Sequence, residues 1–497
     1  MILRTQKIHW IIPLMILVIG AWMVQYSTPT IIGADGFLHG RMSLLIAKQG
    51  FLKTFPSAYF SWFRDRFSDK DFLYHVYLIP FTTMFGLIAG TKFGAFVATS
   101  ALFSMVFILL KKYTQGFGTW ISLALLFSSQ FIRDSAEARP FVFAMLLTLL
   151  GIYAVSNKNT KLLFFASLLF GMTHLSAWLL VFFTIGIQII DWAMTGRGSR
   201  RLVGVSVVGY GLSFFLHPNF PNNIFYTYLN GILVPWYAAK TGVLELGAEF
   251  FPLYTHEVIR FFPVLIGALA FIGICLFIHP IKLRREIVVW GCATILFGLL
   301  ALISRRNMTH MYPVFIVWLG ITIGDWFSTI TSENNNKRLR ILSLGILLLC
   351  ILFFYSFWQT SSYLKQSFIF DRVYGQHFTR MAAVLAKKAP AGSRVFHTNW
   401  SDSQYLIGLA PELQYIVTLD PIYMYNYNPK LYQQYRVTSF AGSSDPYTTL
   451  TDIFGTRYGY AGKNFFGNFI TQIKKDTRFV ILDEDDLGVV FMLQEKP

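Results

Sequence analysis

The sequence predicts a mainly α-helical, polytopic membrane protein of about eleven spans, with a small extracytoplasmic α/β domain at its C-terminal end. Three observations predict it. Of 497 residues, 54% are hydrophobic and only 13% charged, against roughly 25% charged in a soluble domain. Apolar runs able to cross about 30 Å of hydrocarbon recur through the first 360 residues. The 42 Lys and Arg residues fall mostly in short clusters between those runs, which is how membrane topology is written. That placement assigns the net charge of +17 to topology and excludes a nucleic-acid partner. Cys275, Cys292 and Cys350 all lie inside apolar runs, so no disulfide framework is expected.

The runs place spans near 8–27, 93–110, 117–131, 140–156, 162–173, 176–194, 202–216, 258–278, 287–303, 311–328 and 341–358. The first has a basic flank (Arg4, Lys7) and no small-residue cleavage site close behind it, so it reads as an uncleaved span. With the N-terminus in the cytoplasm, the inner segments hold Lys111 and Lys112; Lys158 and Lys161; Arg197, Arg200 and Arg201; Lys282, Arg284 and Arg285; and Lys337, Arg338 and Arg340. Glu286 and Glu333 are nearly the only acids among them. The ledger holds only if Phe72–Gly90 does not cross. That segment is therefore expected to lie on the outer face, anchored by Tyr74, His75 and Tyr77, within an external loop from about 28 to 92.

Composition changes after residue 360. "RVFHTNW", "LQYIVTLD", "RFVILDEDD" and "LGVVFMLQE" read as strands; "HFTRMAAVLAKKA" and "YTTLTDIFG" read as helices. Two units are expected: a membrane domain over 1–360 and an extracytoplasmic α/β domain over 361–497.

On this map the external polar residues cluster. Asp35 and His39 share one helix face if a helix starts after Gly36, and Gly33 and Gly36 let the chain turn off the first span. Asp35 would also serve as a helix N-cap. Asp69 and Asp71 form "DKD", whose spacing alone fits a solvated loop better than a metal site. Asp134 and Glu137 precede Pro140, suiting a first helical turn, and would balance Arg133 and Arg139. His174 suits a cap between two spans. Arg305, Arg306 and His310, in "SRRNMTHMYP", put positive charge outside against the trend. A phosphate partner explains that, and so does ion pairing with the acids. Acids facing a basic cluster at an outer membrane surface suit a lipid-linked phosphate donor: a carboxylate takes the acceptor proton, and arginines, with or without a metal, stabilise the leaving phosphate.

At these residues the sequence resembles the GT-C superfamily of integral-membrane glycosyltransferases. "GADGFLHGRMSLLIAKQGF" looks like the family's opening, and Asp35 and Arg41 are similar to an Asp-x-x-x-x-x-Arg pattern of oligosaccharyltransferase catalytic subunits. The surface helix and the acidic second loop are also family habits. In the tail, Asn399-Trp400-Ser401-Asp402-Ser403 stands where those enzymes carry W-W-D-Y-G, and the motif is not intact here. Aminoarabinose and protein O-mannosyl transferases set basic residues against the donor phosphate.

The resemblance implies a multi-pass enzyme of the bacterial inner membrane. It would move a sugar from a polyprenyl-phosphate carrier to a glycan, lipid or protein acceptor on the outer face. Asp35, Asp69 and Glu137 are then candidate catalytic residues. Arg305, Arg306, His310 and Arg139 are candidates for the donor phosphate, and His39, Arg41, His75 and His174 for lining the site. A divalent metal (Mg or Mn) would be held by Asp35, Asp134 and Glu137. The competing readings are a transporter or lipid flippase, which usually carries ionisable groups at mid-membrane, and a non-catalytic scaffold.

Overall fold

A computed structural model describes residues 11–114, 117–239, 244–245, 247–261, 263–278, 284–332 and 336–495. The expected inner residues Arg4, Lys7, Lys282 and Glu333 lie outside them.

The membrane part is a bundle of apolar helices: α1 Ile11–Gln25, α2 Asp35–Gln49, α3 Phe72–Thr114, α4 Ser129–Ala136, α5 Phe141–Ser156, α6 Thr160–Gly171, α7 Trp178–Thr195, α8 Arg200–Phe215, α9 Pro263–Ile278, α10 Arg285–Ile303 and α11 Arg306–Ser332. Buried Phe103, Phe107, Leu110, Met145, Trp290, Tyr312 and Phe315 pack between them. Trp22, Phe182, Trp192, Leu302, Phe354 and Trp358 stand outward. Without a membrane they would be a large apolar liability; in lipid they are the expected surface.

Among the described residues five helices are long and apolar enough to cross a membrane, or six if α4 and α5, bent by 108° across 137–140, form one span. The protein is an integral membrane protein. That measure does not reach eleven, because several apolar runs form shorter helices: α6 has 12 residues, and α5 and α8 have 16 each. The run expected as a span at 117–131 winds as a 3₁₀ helix over Phe117–Phe127 before α4 begins.

Phe72–Gly90 and the run at 93–110 lie in one helix, α3, broken at Gly86 (φ 77°, ψ 178°). Only glycine adopts that backbone readily. The break folds the first half back along the second. Tyr77 Oη donates to the Gly94 carbonyl at 2.9 Å, Phe81 meets Phe93 edge-on, and a Cβ at Gly94 would touch Leu78.

A single helix, α12 Asn336–Lys388, carries the chain through residue 360 into the C-terminal part. There a five-stranded sheet has the order β2-β1-β3-β5-β4, with β1 Arg394–His397, β2 Gln414–Tyr415, β3 Tyr458–Gly462, β4 Phe479–Glu484 and β5 Gly488–Leu493. β1 runs parallel to β2 and β3; β5 is antiparallel to β3 and β4. Four of the strands answer the four sequence segments. The central β3, "YGYAG", does not, since its glycines lack the branched side chains that mark strands. Gly459 is required by packing: a Cβ there would stand 2.2 Å from the Phe491 ring.

The first loop docks on this domain. Tyr415 N donates to the Ser57 carbonyl and Tyr59 N to the Tyr415 carbonyl, at 2.8 and 3.2 Å. Arg41 Nε donates to the Gly408 carbonyl at 2.8 Å. Asp371, on α12, joins Arg133 of α4 in an ion pair and accepts from Gly33 N at 3.2 Å. These ties enclose a cavity between the bundle and the domain.

Candidate active site

The cavity measures about 830 Å³. A smaller one of about 270 Å³ adjoins it, sharing Glu137, Arg139, Glu249 and Arg306. Of the residues singled out in the sequence, Asp35, His39, Asp69, His75, Glu137, Arg139, His174 and Arg306 line the large cavity. Asp134 and Arg305 line the small one. Arg41 lines neither, because it is spent on Gly408. His310 lines neither; it lies flat on Phe297 and edge-on to Phe141, and neither ring nitrogen has a hydrogen-bond partner.

Asp35 is the first residue of α2, not its cap; Ala34 holds that position. Its carboxylate meets Arg139 at 2.7 Å. Gly33, at φ +77°, turns the chain off α1, and its missing side chain matters too: a Cβ there would touch the Glu137 carboxyl at 3.0 Å. Asp134 and Glu137 end α4 rather than begin a helix, since Glu137 is its C-cap and α5 starts after Pro140. Asp134 accepts from Gln130 at 2.8 Å and Thr309 at 2.6 Å. Glu137 sits between Arg133 at 3.3 Å and Arg139 at 3.2 Å. Burial pushes its carboxyl up to about 7, with the two arginines opposing.

Arg139 also meets Glu249 at 3.5 Å, and Arg306 meets the other Glu249 oxygen at 3.5 Å. Burial raises Glu249, but Arg306 and Arg139 outweigh it and hold the carboxyl down at about 2. Arg305 pairs with Glu257 at 3.1 Å. Both outer arginines thus have acid partners here. A carboxylate–guanidinium lattice lines the cavity from Asp35 to Arg306.

A second cluster faces it. Asp69 and Asp71 are buried, not solvated as their spacing suggested. Asp69 accepts from His75 Nδ1 at 2.7 Å, and His75 Nε2 lies 2.8 Å from His39 Nδ1. His39, Asp71 and His75 form a group whose ligating atoms all lie within 4.8 Å of one another. Among the described residues no such group joins Asp35, Asp134 and Glu137; arginines stand between those acids. Burial lowers the His39 imidazole well below its ordinary range, and His75 adds to that. His174 caps the 3₁₀ turn Leu175–Ala177, accepting from Ser176 N, as its place between two spans suggested.

Sequence reasoning passed over Lys70, Glu249 and Asp371, all at the large cavity. Asp371 had a signal: it is the only acid between residues 334 and 401. Asp402, contributed by the C-terminal domain, is pushed up to about 8 by burial.

ArnT from Cupriavidus metallidurans, bound to undecaprenyl phosphate, superimposes with a TM-score of 0.63 at 12% identity, over 97% of this chain and 98% of that one. The archaeal oligosaccharyltransferase AglB from Archaeoglobus fulgidus, in complex with an inhibitory peptide and a dolichol-phosphate, gives 0.64 at 10% identity, over 92% of this chain and 69% of its own. Both are GT-C glycosyltransferases. This chain has the GT-C fold. No family model and no curated protein matches the sequence, so the GT-C likeness lives in the architecture.

The Archaeoglobus fulgidus enzyme is also known in complex with Zn and sulfate (TM-score 0.59, 9% identity, 90% of this chain and 68% of that one). The residues of the present cavity fit a metal at one place. Asp71 Oδ1 is buried with no hydrogen-bond partner, beside two imidazole nitrogens.

Proposed function

We propose that the protein is a GT-C transferase that moves a sugar from a polyprenyl-phosphate-linked donor to an acceptor on the extracytoplasmic face. The observation that carries this reading is the lattice of Asp35, Arg139, Glu249 and Arg306 along a cavity large enough for a sugar phosphate. Two fold relatives binding undecaprenyl phosphate and dolichol-phosphate support it.

In this reading Asp35 takes the proton from the acceptor hydroxyl, a contribution of about 10²–10⁴-fold. Arg139 orients that carboxylate through their 2.7 Å contact. Arg306, with Arg305 behind it, meets the phosphate whose charge grows as the glycosidic bond breaks. Guanidinium groups already oriented by Glu249 and Glu257 act on that charge without reorganising. Glu137 and Asp69 act as secondary carboxylates, and His39, His75 and His174 line the site. A bound divalent metal would supply further charge stabilisation at the leaving phosphate.

The transporter reading has less support. The two acids at span ends, Asp191 and Asp325, are tied to Arg285 and Arg284, so they stand as structural ion pairs and not as a path through the bilayer.

With glycan, lipid and peptide acceptors supplied on the outer face, the test is the purified protein in vesicles that carry polyprenyl-phosphate-linked sugars. Release of free polyprenyl phosphate with one of them is expected. Movement of the intact lipid-linked sugar across the bilayer with no release would overturn the reading. Reporter fusions at Lys112, Lys158 and Arg201 are expected to report the cytoplasm.

A further inference from the structure

We propose that His39, Asp71 and His75 form a binding site for one divalent transition metal of the zinc class, distinct from the acid set Asp35, Asp134 and Glu137.

The geometry starts at Asp69. Its carboxylate accepts from His75 Nδ1 at 2.7 Å. A neutral His75 carrying its proton on Nδ1 presents an unprotonated Nε2 toward His39. A carboxylate on the far nitrogen of a histidine fixes its tautomer and raises its basicity, the usual arrangement behind a metal-ligating imidazole. His39 Nδ1 faces the same point, 2.8 Å from His75 Nε2. The two nitrogens share one proton here. Metal binding shifts His39 to the tautomer protonated on Nε2, which frees both facing lone pairs.

A histidine–histidine hydrogen bond alone does not explain Asp71. His39, Asp71 and His75 are 5%, 3% and 4% exposed, and Asp71 Oδ1 has no partner. The nearest cation, Lys70 Nζ, stands 3.9 Å from the other oxygen. A buried carboxylate oxygen left unpaired is costly. An ion between the three side chains satisfies it. Four-coordinate zinc with bonds of about 2.0–2.1 Å separates its ligand atoms by about 3.4 Å, so the imidazoles need to part by only about half an ångström.

Two imidazoles and one carboxylate choose the metal class. Imidazole suits zinc and its transition-metal neighbours, whereas magnesium and calcium are held by oxygens. Three protein ligands leave one position open, as in catalytic rather than structural zinc sites. All three residues line the large cavity, so that position takes a water or an anionic oxygen. His39 stands one turn beyond Asp35 on α2, so the ion also pins the helix that carries Asp35 to the first turn of α3 and the residue just before it.

The experiment uses tag-free, full-length protein in detergent, stripped with chelator and titrated with Co²⁺. One equivalent is expected, with the visible ligand-field bands of four-coordinate cobalt, displaced by Zn²⁺ and not by Mg²⁺. His39→Gln and Asp71→Asn are expected to lose the bands. Asp69→Asn keeps the ligands and is expected to bind 10- to 100-fold more weakly. The proposal is overturned if wild-type protein shows no such bands, if Mg²⁺ competes as well as Zn²⁺, or if folded His39→Gln and Asp71→Asn bind as wild type does. The wild-type spectrum decides even where a variant does not fold, and none of these readouts depends on transferase activity.

Discussion

Replacing Arg139 with glutamine tests the electrostatic design of the cavity. Arg139 bridges Asp35, Glu137 and Glu249 at 2.7, 3.2 and 3.5 Å. Removing one partner of a buried ion pair costs about 3–5 kcal/mol. Arg139 keeps 27% of its side chain exposed, so the lower end, about 3 kcal/mol, is expected at pH 8.

The pH dependence follows from Glu137. Its folded-state pKa is raised from 4.5 to about 7, a gap worth about 3 kcal/mol. The fold therefore binds this proton more tightly than the unfolded chain does. The contribution is fully present below 4.5, is lost as pH climbs toward 7, and changes little above that. Without Arg139 the Glu137 carboxyl rises further, so the variant goes on losing stability above pH 7. The wild-type-minus-variant difference should therefore be larger at pH 8 than at pH 6. Denaturant unfolding in detergent, followed by tryptophan fluorescence, measures it. An equal difference at both pH values would refute the reasoning.

Two further predictions concern the frame. Gly86→Ala has open space around its new Cβ, so its whole cost is backbone strain, about 1–3 kcal/mol; wild-type stability in the same unfolding assay would contradict the role of Gly86 in reversing α3. Gly459→Ala drives a methyl into the Phe491 ring, and about 1–3 kcal/mol of destabilisation is expected from overpacking. An unchanged urea midpoint would show that β3 and β5 part without strain.

The sequence made the architecture legible where one physical signal dominated. Apolar runs between basic clusters marked the bundle, and period-two segments marked four strands. Gly86 hid the continuity of α3, since a reversal and a loop look alike when the only sign is one glycine in an apolar run. β3 was hidden because packing against Phe491, not β-propensity, selects Gly459. The polar residues nearest the first span were legible as a group, and the cavity does gather Asp35, His39, Glu137 and Arg139. Their pairings were not. Asp371 lies 238 residues from Arg133, and only the return of α12 past α4 brings them together. Arg41 and His310 stood in suggestive positions, yet one is bound to a backbone carbonyl and the other to aromatic rings. Asp69 and Asp71 read as solvated because burial by distant segments, here the loop carrying His217 and Asn219, leaves no local trace.

The central claim is that a carboxylate at the start of α2 drives transfer from a lipid-linked donor. The measurement that tests it most directly is the rate at which Asp35→Asn releases polyprenyl phosphate from its glycosylated form in vesicles. The account predicts a loss of at least about 100-fold in protein that still folds and still binds the lipid phosphate. Turnover at the wild-type rate would contradict it.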